Sequence, residues 1–261
     1  MCYTYDALPP IKPIAGAAID KEDLTLQARD GTRFAAFSAK PENGRRTGMV
    51  VLPDVRGLYP FYEELTMRFA EQGIDSVAID YFGRTAGAAK RDDSFEFMEH
   101  VGQTRAATIA TDTAAAVAYL RSPQGGACES IFTVGFCFGG ANSWMQAAAG
   151  HGLTGAIGFY GRPGPGRDGS PGPAQRAGDF ACPVLALMGG ADASIPPEAV
   201  AELKAALTTG KVQHEVIVYP NAPHSFFDRA YEQFASESAD AWQRTLAFVR
   251  KYEKAPVRTT A

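Results

Sequence analysis

The stretch Gly135-Phe136-Cys137-Phe138-Gly139-Gly140 constrains the fold of this chain more than any other. It follows the apolar run Ile131 to Val134, which is typical of a buried strand, and precedes a helix-like segment from Ala141 to Ala149. Small residues two places before and two places after the central side chain let a strand turn sharply into a helix, because a Cβ there would crowd the crossing backbone. We therefore expect a strand, a tight turn centred on Cys137 and a helix, in that order.

Buried apolar runs alternate with helical segments along the rest of the chain. Strands are predicted at 48–52, 76–79, 131–135, 155–160, 184–188 and 216–219, and helices at 61–72, 94–100, 104–120, 197–207 and 231–252. This alternation indicates βαβ units, which build a mostly parallel central sheet with helices on both faces. Leu24 to Ala28 and Arg33 to Phe37 flank the turn Asp30-Gly31 and predict an N-terminal antiparallel hairpin. The prediction is an α/β fold in one domain, residues 1–261.

Composition and charge exclude several classes of protein. The net charge of the 261 residues is -4 and no basic cluster is present, so we expect no nucleic-acid or membrane partner. The four cysteines (Cys2, Cys128, Cys137 and Cys182) lack CxxC spacing, which argues against a disulfide framework or a metal site. No signal peptide is recognised between Met1 and Pro10, and no apolar run approaches the roughly 18 residues of a membrane span. We expect a cytoplasmic protein.

Cys137 is the candidate nucleophile. At the start of a helix its thiolate faces a positive partial charge of about half a unit. The backbone N–H of Phe138 points to the same side and can donate a hydrogen bond to a developing oxyanion. The alternative is a buried structural cysteine in a glycine-rich turn, but the strand–turn–helix context favours catalysis.

A cysteine nucleophile needs a base and a group that orients the base. Of four histidines, only His224 lies in a loop directly after a predicted strand, Val216 to Tyr219. Asp192 follows the strand Val184 to Met188 and is the only acid in that loop. The alternatives are a solvated loop histidine and a turn carboxylate. The order nucleophile, acid, histidine favours a triad in which Asp192 fixes the tautomer of His224.

These motifs make the chain resemble the dienelactone hydrolase family of α/β-hydrolases, from about Leu24 to the last helix. The resemblance is carried by Gly-Phe-Cys137-Phe-Gly-Gly, Met-Gly-Gly-Ala-Asp192 and Ala-Pro-His224-Ser-Phe-Phe. It implies an α/β-hydrolase fold, a Cys-His-Asp triad and no cofactor. It also implies hydrolysis of cyclic enol-lactones, such as dienelactone to maleylacetate.

The resemblance assigns roles to further positions. Asp54 stands where well-known members have a glutamate that hydrogen-bonds the resting cysteine and helps to activate it. The N–H of Val55 would be the second oxyanion donor, beside that of Phe138. Asp54 is one methylene shorter than glutamate, and its alternative role is to cap the loop.

Substrate binding is expected to involve three more residues. Arg84, in Asp80-Tyr81-Phe82-Gly83-Arg84, resembles the family's substrate-carboxylate-binding arginine, a job that suits a guanidinium. The family's second arginine position is occupied here by Asp228, with Arg229 one residue later. Tyr160 lines the pocket or belongs to the core. The loop from Gly161 to Pro173 either borders the site or is flexible.

The sequence therefore predicts a hydrolase that opens lactones or esters through a thioester acyl-enzyme. A broad carboxylesterase or thioesterase on the same scaffold stays open, as does a non-catalytic thiol sensor. The expected partner is a small-molecule lactone or ester, and the expected assembly a monomer or small homo-oligomer.

Overall fold

Eight strands of the described chain form one sheet in the order β1-β2-β4-β3-β5-β6-β7-β8. The structure is a computed structural model that describes residues 6–166 and 169–254, so Cys2 and part of the 161–173 loop lie outside the described residues. The strands are β1 (Ile19–Gln27), β2 (Arg33–Pro41), β3 (Thr47–Leu52), β4 (Asp75–Ile79), β5 (Ser130–Phe136), β6 (Gly155–Phe159), β7 (Val184–Gly189) and β8 (His214–Tyr219).

The helices lie between the strands in the alternation that the sequence predicts. They are α1 (Pro60–Glu71), α2 (Gly83–Ala86), α3 (Phe97–Val101), α4 (Ala106–Arg121), α5 (Phe138–Gln146), α6 (Pro173–Arg176), α7 (Pro197–Thr209) and α8 (Ala235–Tyr252). None of the helices in the described ranges is long and apolar enough to cross a membrane.

Strands β3 to β8 are parallel, whereas β1 pairs antiparallel with β2, and β2 antiparallel with β4. The predicted hairpin and parallel sheet are both confirmed, and the hairpin strands are longer than predicted. Because the carboxyl ends of parallel strands meet at one edge of the sheet, the loops after β3, β5, β6, β7 and β8 lie along that edge.

Both faces of the sheet are covered, and strand β3 shows how. Its residues are all buried, with Met49 and Val51 in one apolar cluster and Val50 and Leu52 in the other. Successive side chains of a strand point to opposite faces, so a strand buried on both faces is apolar throughout. Helices α1 and α8 belong to the first cluster and α4 to the second.

Three helix starts differ from the predictions by three residues or more, and one of them is that of α3, which begins at Phe97 rather than Ser94. Helix α5 begins at Phe138 rather than Ala141, because the helix starts directly after the turn residue and includes both glycines. Helix α8 begins at Ala235 rather than Tyr231, since residues 231–234 form turns in which the Phe234 N–H donates to the Ala230 carbonyl. The short helices α2 and α6 were not predicted, because four residues give too little periodicity.

Candidate active site

The turn at Cys137 has strained backbone geometry. Cys137 follows β5, has φ 55° and ψ −114°, and is the N-cap of α5. This left-handed region costs a non-glycine residue on the order of 1–3 kcal/mol and persists only where the surroundings impose it. Here the Cys137 N–H donates to the Phe159 carbonyl (3.0 Å) and its own carbonyl accepts from the Gly140 N–H (3.0 Å). The backbone therefore holds the thiol at the carboxyl edge of the sheet.

Two glycines make this turn sterically possible. A Cβ on Gly135 would lie 1.9 Å from the Gly139 carbonyl oxygen, and one on Gly139 would lie 2.1 Å from the Leu52 carbonyl oxygen. Both distances fall far below van der Waals contact with backbone that cannot move aside. The glycine spacing seen in the sequence is thus a requirement of strand β5 crossing close to α5.

His224 and Asp192 form a hydrogen-bonded pair beside the turn. The His224 Nδ1 lies 2.6 Å from Asp192 Oδ2, and Asp192 is 6% exposed. The other carboxylate oxygen accepts from the Ser194 N–H (2.8 Å) and the Ser194 hydroxyl (2.6 Å). Burial acts to raise the pKa of Asp192, but the hydrogen bonds from His224 and Ser194 outweigh it and hold that pKa below its ordinary value. Asp192 is therefore an ionised acceptor that fixes the His224 ring.

One cavity brings several of the predicted residues together. Its volume is about 330 Å³, and its lining includes Cys137, His224, Val55, Phe138 and Tyr160. Asp192 lies behind His224. The chain directly after β3, β5 and β6 thus supplies residues to one cavity, together with the loops after β7 and β8.

Asp54 is buried, does not line this cavity and is held by an arginine. Its carboxylate is fully buried and accepts from the Arg56 guanidinium (3.1 Å to Oδ2) and the Arg56 N–H (2.9 Å to Oδ1). The Asp54 N–H donates to the Tyr62 hydroxyl (3.0 Å). Arg56 is itself 5% exposed, so Asp54 and Arg56 form a buried ion pair on either side of Val55, which lines the cavity.

Arg84 and Arg229 do not line the cavity. The Arg84 guanidinium pairs with Asp30 (2.7 Å) and with buried Asp112 (2.5 Å), which tie it to the β1–β2 turn and to α4. The Arg229 N–H donates a short hydrogen bond to Asp228 Oδ1. These placements do not support the predicted carboxylate-binding role of either arginine.

Tyr160 connects the cavity to a buried acid. It lines the cavity, its ring lies 5.0 Å from the His224 ring, and its hydroxyl donates to Asp228 Oδ2 (3.0 Å). Burial raises the pKa of Asp228 to about 7, and the nearby charge of Asp54 contributes to the rise. Tyr160 is thus both cavity lining and core, which the sequence left as alternatives.

The other described cysteines lie in different environments. Cys128 and Cys182 are buried, whereas Cys137 is partly exposed at the cavity. Burial raises the pKa of Cys182 to about 12 and that of Cys128 further, where the charge of Asp75 adds to the effect. Thiols with such raised pKa values stay protonated and unreactive at neutral pH.

Sequence reasoning missed Ser194 and Arg162. Ser194 holds Asp192 and lines the cavity, and the Asp-Ala-Ser spacing, typical of an Asx turn, was a usable signal. Arg162 and several glycines and prolines of the 161–173 loop also line the cavity, so the described part of that loop borders the site. No local pattern signals this, because it depends on the path of a long loop.

The sheet order, the strained turn after β5 and the His–Asp pair after β8 and β7 define a protein of the α/β-hydrolase class. The profile of the Dienelactone hydrolase family matches residues 34–253, and the chain belongs to this family of carboxylic ester hydrolases.

Several known proteins are similar over most of the chain. A protein of Yersinia pestis named "Putative carboxymethylenebutenolidase" is 30% identical over 224 residues, which cover 83% of each chain. A protein of the same name from Escherichia coli (strain K12) is 28% identical over 256 residues, or 94% of each chain. The crystal structure titled "Putative Dienelactone Hydrolase" from Klebsiella pneumoniae has a TM-score of 0.79 and 26% identity, covering 90% of this chain and all of that one.

Proposed function

We propose that this protein hydrolyses small-molecule esters or lactones with Cys137 as nucleophile, His224 as general base and acid, and Asp192 as the group that orients the imidazole. The observation that carries the proposal is the cavity in which the strained Cys137 and the Asp192-bound His224 both take part. The similar proteins named for carboxymethylenebutenolidase support a lactone among the substrates.

Acylation begins when His224 Nε2 takes the proton of the Cys137 thiol. The sulfur attacks the substrate carbonyl carbon, a C–S bond forms, and the carbonyl electrons move to its oxygen. The backbone N–H groups of Val55 and Phe138 would bind this oxyanion. Both residues line the cavity, and within the described residues neither N–H makes a hydrogen bond. One such donor is typically worth about 3–4 kcal/mol of transition-state stabilisation.

Collapse of the tetrahedral intermediate breaks the carbonyl C–O bond. The leaving oxygen takes the proton from the His224 imidazolium, whose charge the ionised Asp192 stabilises. Water then gives a proton to His224 and attacks the thioester carbonyl carbon. The C–S bond breaks as the sulfur takes that proton back from His224, and the carboxylic acid is released with Cys137 and His224 restored. An enolate or phenolate leaves far more readily than an amine, which favours lactones and activated esters over peptides.

The test is hydrolysis of p-nitrophenyl acetate and of dienelactone by Cys137→Ala. We expect turnover to fall to background while circular dichroism shows an unchanged fold. Cys182→Ala is the matched control, because Cys182 is a buried thiol away from the cavity. Mass spectrometry of the wild-type protein mixed with ester should show one acyl group on Cys137. Unchanged turnover in Cys137→Ala would overturn the proposal.

A broad carboxylesterase or thioesterase is the second candidate. It is favoured by the placement of Arg84 and Arg229 outside the cavity, which removes two cations expected to select an anionic lactone. A panel of neutral esters, thioesters and anionic lactones separates the two: comparable kcat/KM across the panel would favour the broad enzyme. Alkylation of Cys137 by iodoacetamide without turnover of any ester would instead favour a thiol sensor.

A further inference from the structure

Three helices give the cavity at Cys137 an apolar wall. The residues of this wall are Val101 of α3, Ile109 of α4, and Ala141 and Met145 of α5. Val101 and Ile109 belong to the same buried core cluster and are 4% and 2% exposed, and α4 contacts α5. The apolar wall is therefore continuous with the core and shielded from water. It is built from helices whose residues are all described, independently of the loop that follows β6.

The apolar wall starts beside the candidate nucleophile. Cys137, Ala141 and Met145 follow one another at intervals of four residues, a spacing that places side chains on one face of a helix. A helix rises about 1.5 Å per residue, so Ala141 lies about 6 Å and Met145 about 12 Å along α5 from Cys137. With C–C bonds of about 1.5 Å, an extended octanoyl chain on the Cys137 sulfur spans about 10 Å. Such a chain passes Ala141 and ends near Met145.

The path along α5 suits an alkyl chain. Met145 is partly exposed and, among the described residues, belongs to neither of the two apolar core clusters. A methionine side chain is unbranched and adapts to irregular space, so it can close around the end of a chain. Of the fully described α5, only Asn142 adds a polar side chain to the cavity, and its amide donates to the Phe138 carbonyl (2.9 Å). An alkyl chain along α5 therefore leaves few polar groups without partners.

The order of the strands decides which part of a substrate meets the apolar wall. His224 protonates the leaving oxygen in the proposed reaction, and it comes from the loop after β8, with Ser194 from the loop after β7. Strands β7 and β8 lie on one side of β5, whereas α4 packs on β3 and β4, which lie on the other side. The leaving group is therefore held toward β7 and β8, and the acyl group faces the apolar wall.

We propose that the apolar wall is an acyl subsite, so that the preferred substrates are esters or thioesters with an unbranched, octanoyl-sized apolar acyl group. This inference rests on the proposed hydrolase function and names the substrate class of the same cavity. It makes Ala141 and Met145 the residues that select acyl length, one near the sulfur and one at the far end.

A series of 4-nitrophenyl esters measures the effect of acyl length. Complete burial of one methylene group is worth about fourfold in affinity, so partial burial of six should raise kcat/KM at least about tenfold from the acetate to the octanoate. The dodecanoate should react more slowly than the octanoate, because its chain extends past Met145. The esters are compared below the concentrations at which they aggregate. A flat profile, or a rise that continues to the dodecanoate, would overturn the proposal.

Two isomeric thioesters test the side on which the chain lies. S-ethyl octanethioate and S-octyl ethanethioate have the same composition, but the long chain belongs to the acyl group of the first and to the leaving group of the second. We expect kcat/KM to be about tenfold higher for the first, measured by chromatography of the released acids. Equal values, or a preference for the second, would place the chain on the leaving-group side and reject the acyl subsite.

Substitutions then locate the subsite. Met145→Trp should lower the ratio of kcat/KM for the octanoate to that for the acetate about tenfold, because an indole blocks the far end. Ala141→Leu should move the preference to the butanoate, and Met145→Leu should keep the octanoate preference. Met98→Trp is the matched control, because Met98 is an exposed methionine of α3 that does not line the cavity. An unchanged ratio in both Met145→Trp and Ala141→Leu would overturn the proposal.

A binding measurement separates this inference from the hydrolase function itself. Octanamide should protect Cys137 of the wild-type protein from alkylation by iodoacetamide at about tenfold lower concentration than acetamide does. Met145→Trp should need about tenfold more octanamide for the same protection. Protection by octanamide without turnover of any ester would reject the hydrolase proposal and support the acyl subsite. Turnover with equal protection by the two amides would reject the acyl subsite alone.

Discussion

Two carboxylates follow parallel strands at the same edge of the sheet, yet they belong to different kinds of pair. Asp192 follows β7 and Asp54 follows β3. Asp192 binds His224, which comes from the loop after β8 and lines the cavity. Asp54 binds Arg56, two residues further along its own loop, and both are buried and absent from the cavity lining.

The partner decides what each carboxylate can do. An imidazole can accept a proton at one ring nitrogen while the other is held by a carboxylate, so the Asp192–His224 pair can take part in proton transfer. An arginine guanidinium does not release its proton, so the Asp54–Arg56 pair offers no proton for transfer, and removal of either member disrupts a buried ion pair. Position at a strand end therefore brings a residue to the site, and the neighbouring side chain sets its role.

The largest effect is expected at Asp192. Asp192→Asn keeps the size of the side chain but favours the wrong tautomer of His224, so kcat for p-nitrophenyl acetate should fall by about 10³–10⁴-fold. The unfolding midpoint in urea should change little by comparison. A variant with kcat within tenfold of wild type would remove Asp192 from the proposed triad.

At the Asp54–Arg56 pair we expect the opposite result, a large loss of stability and a small change in kcat. Asp54→Asn removes the carboxylate charge that the buried Arg56 guanidinium binds, so the free energy of unfolding should fall by about 3–5 kcal/mol. Urea denaturation measures this, and the double variant Asp54→Asn, Arg56→Gln should recover part of the loss. If Asp54→Asn is as stable as wild type but has a lower kcat, the structural role of Asp54 is wrong. That result would give Asp54 the cysteine-activating role.

Asp228 is a third buried carboxyl, and it differs from Asp192 and Asp54 because no cation is among its described side-chain contacts. The folded protein holds its proton up to about pH 7, whereas an unfolded chain releases it near pH 4. This group therefore makes the free energy of unfolding fall as pH rises from about 4 to about 7, with no further loss above that.

Asp228→Asn should remove this pH dependence. The amide can accept from the Arg229 N–H and donate to the Tyr160 hydroxyl, so the local hydrogen bonds survive. Relative to wild type, the variant should gain about 3 kcal/mol of stability between pH 5 and pH 8. Chemical denaturation at both pH values measures the gain. Parallel curves for the two proteins would show that Asp228 is ionised throughout this range.

The sequence predicted what depends on local pattern and chain order. Alternating apolar runs predicted the parallel sheet, and the glycines around Cys137 predicted the turn, because both are imposed by nearby residues. Cys137 and His224, nearly ninety positions apart, were expected at one edge because each follows a strand. Ion pairs that depend on the packing of distant elements could not be predicted. Arg84 binds Asp30 and Asp112 because the N-terminal hairpin packs on α4. The pairing of Asp54 with Arg56, by contrast, is local, because the two residues are two positions apart in one loop.

The smallest effect is expected at Arg84. The substitution tests whether this arginine has a structural role, like Arg56, or binds substrate in the cavity. Arg84→Gln leaves Asp112, which is 1% exposed, without its cation. Burial already raises the pKa of Asp112 to about 6, so this carboxyl can take up a proton instead of staying charged. The loss of stability at neutral pH should therefore be only about 1 kcal/mol.

Activity should change even less in Arg84→Gln. Because Arg84 does not line the cavity, kcat/KM for dienelactone should stay within about twofold of wild type. A loss of about tenfold or more for dienelactone, with no loss for p-nitrophenyl acetate, would mean that Arg84 leaves its two aspartates and binds the substrate carboxylate.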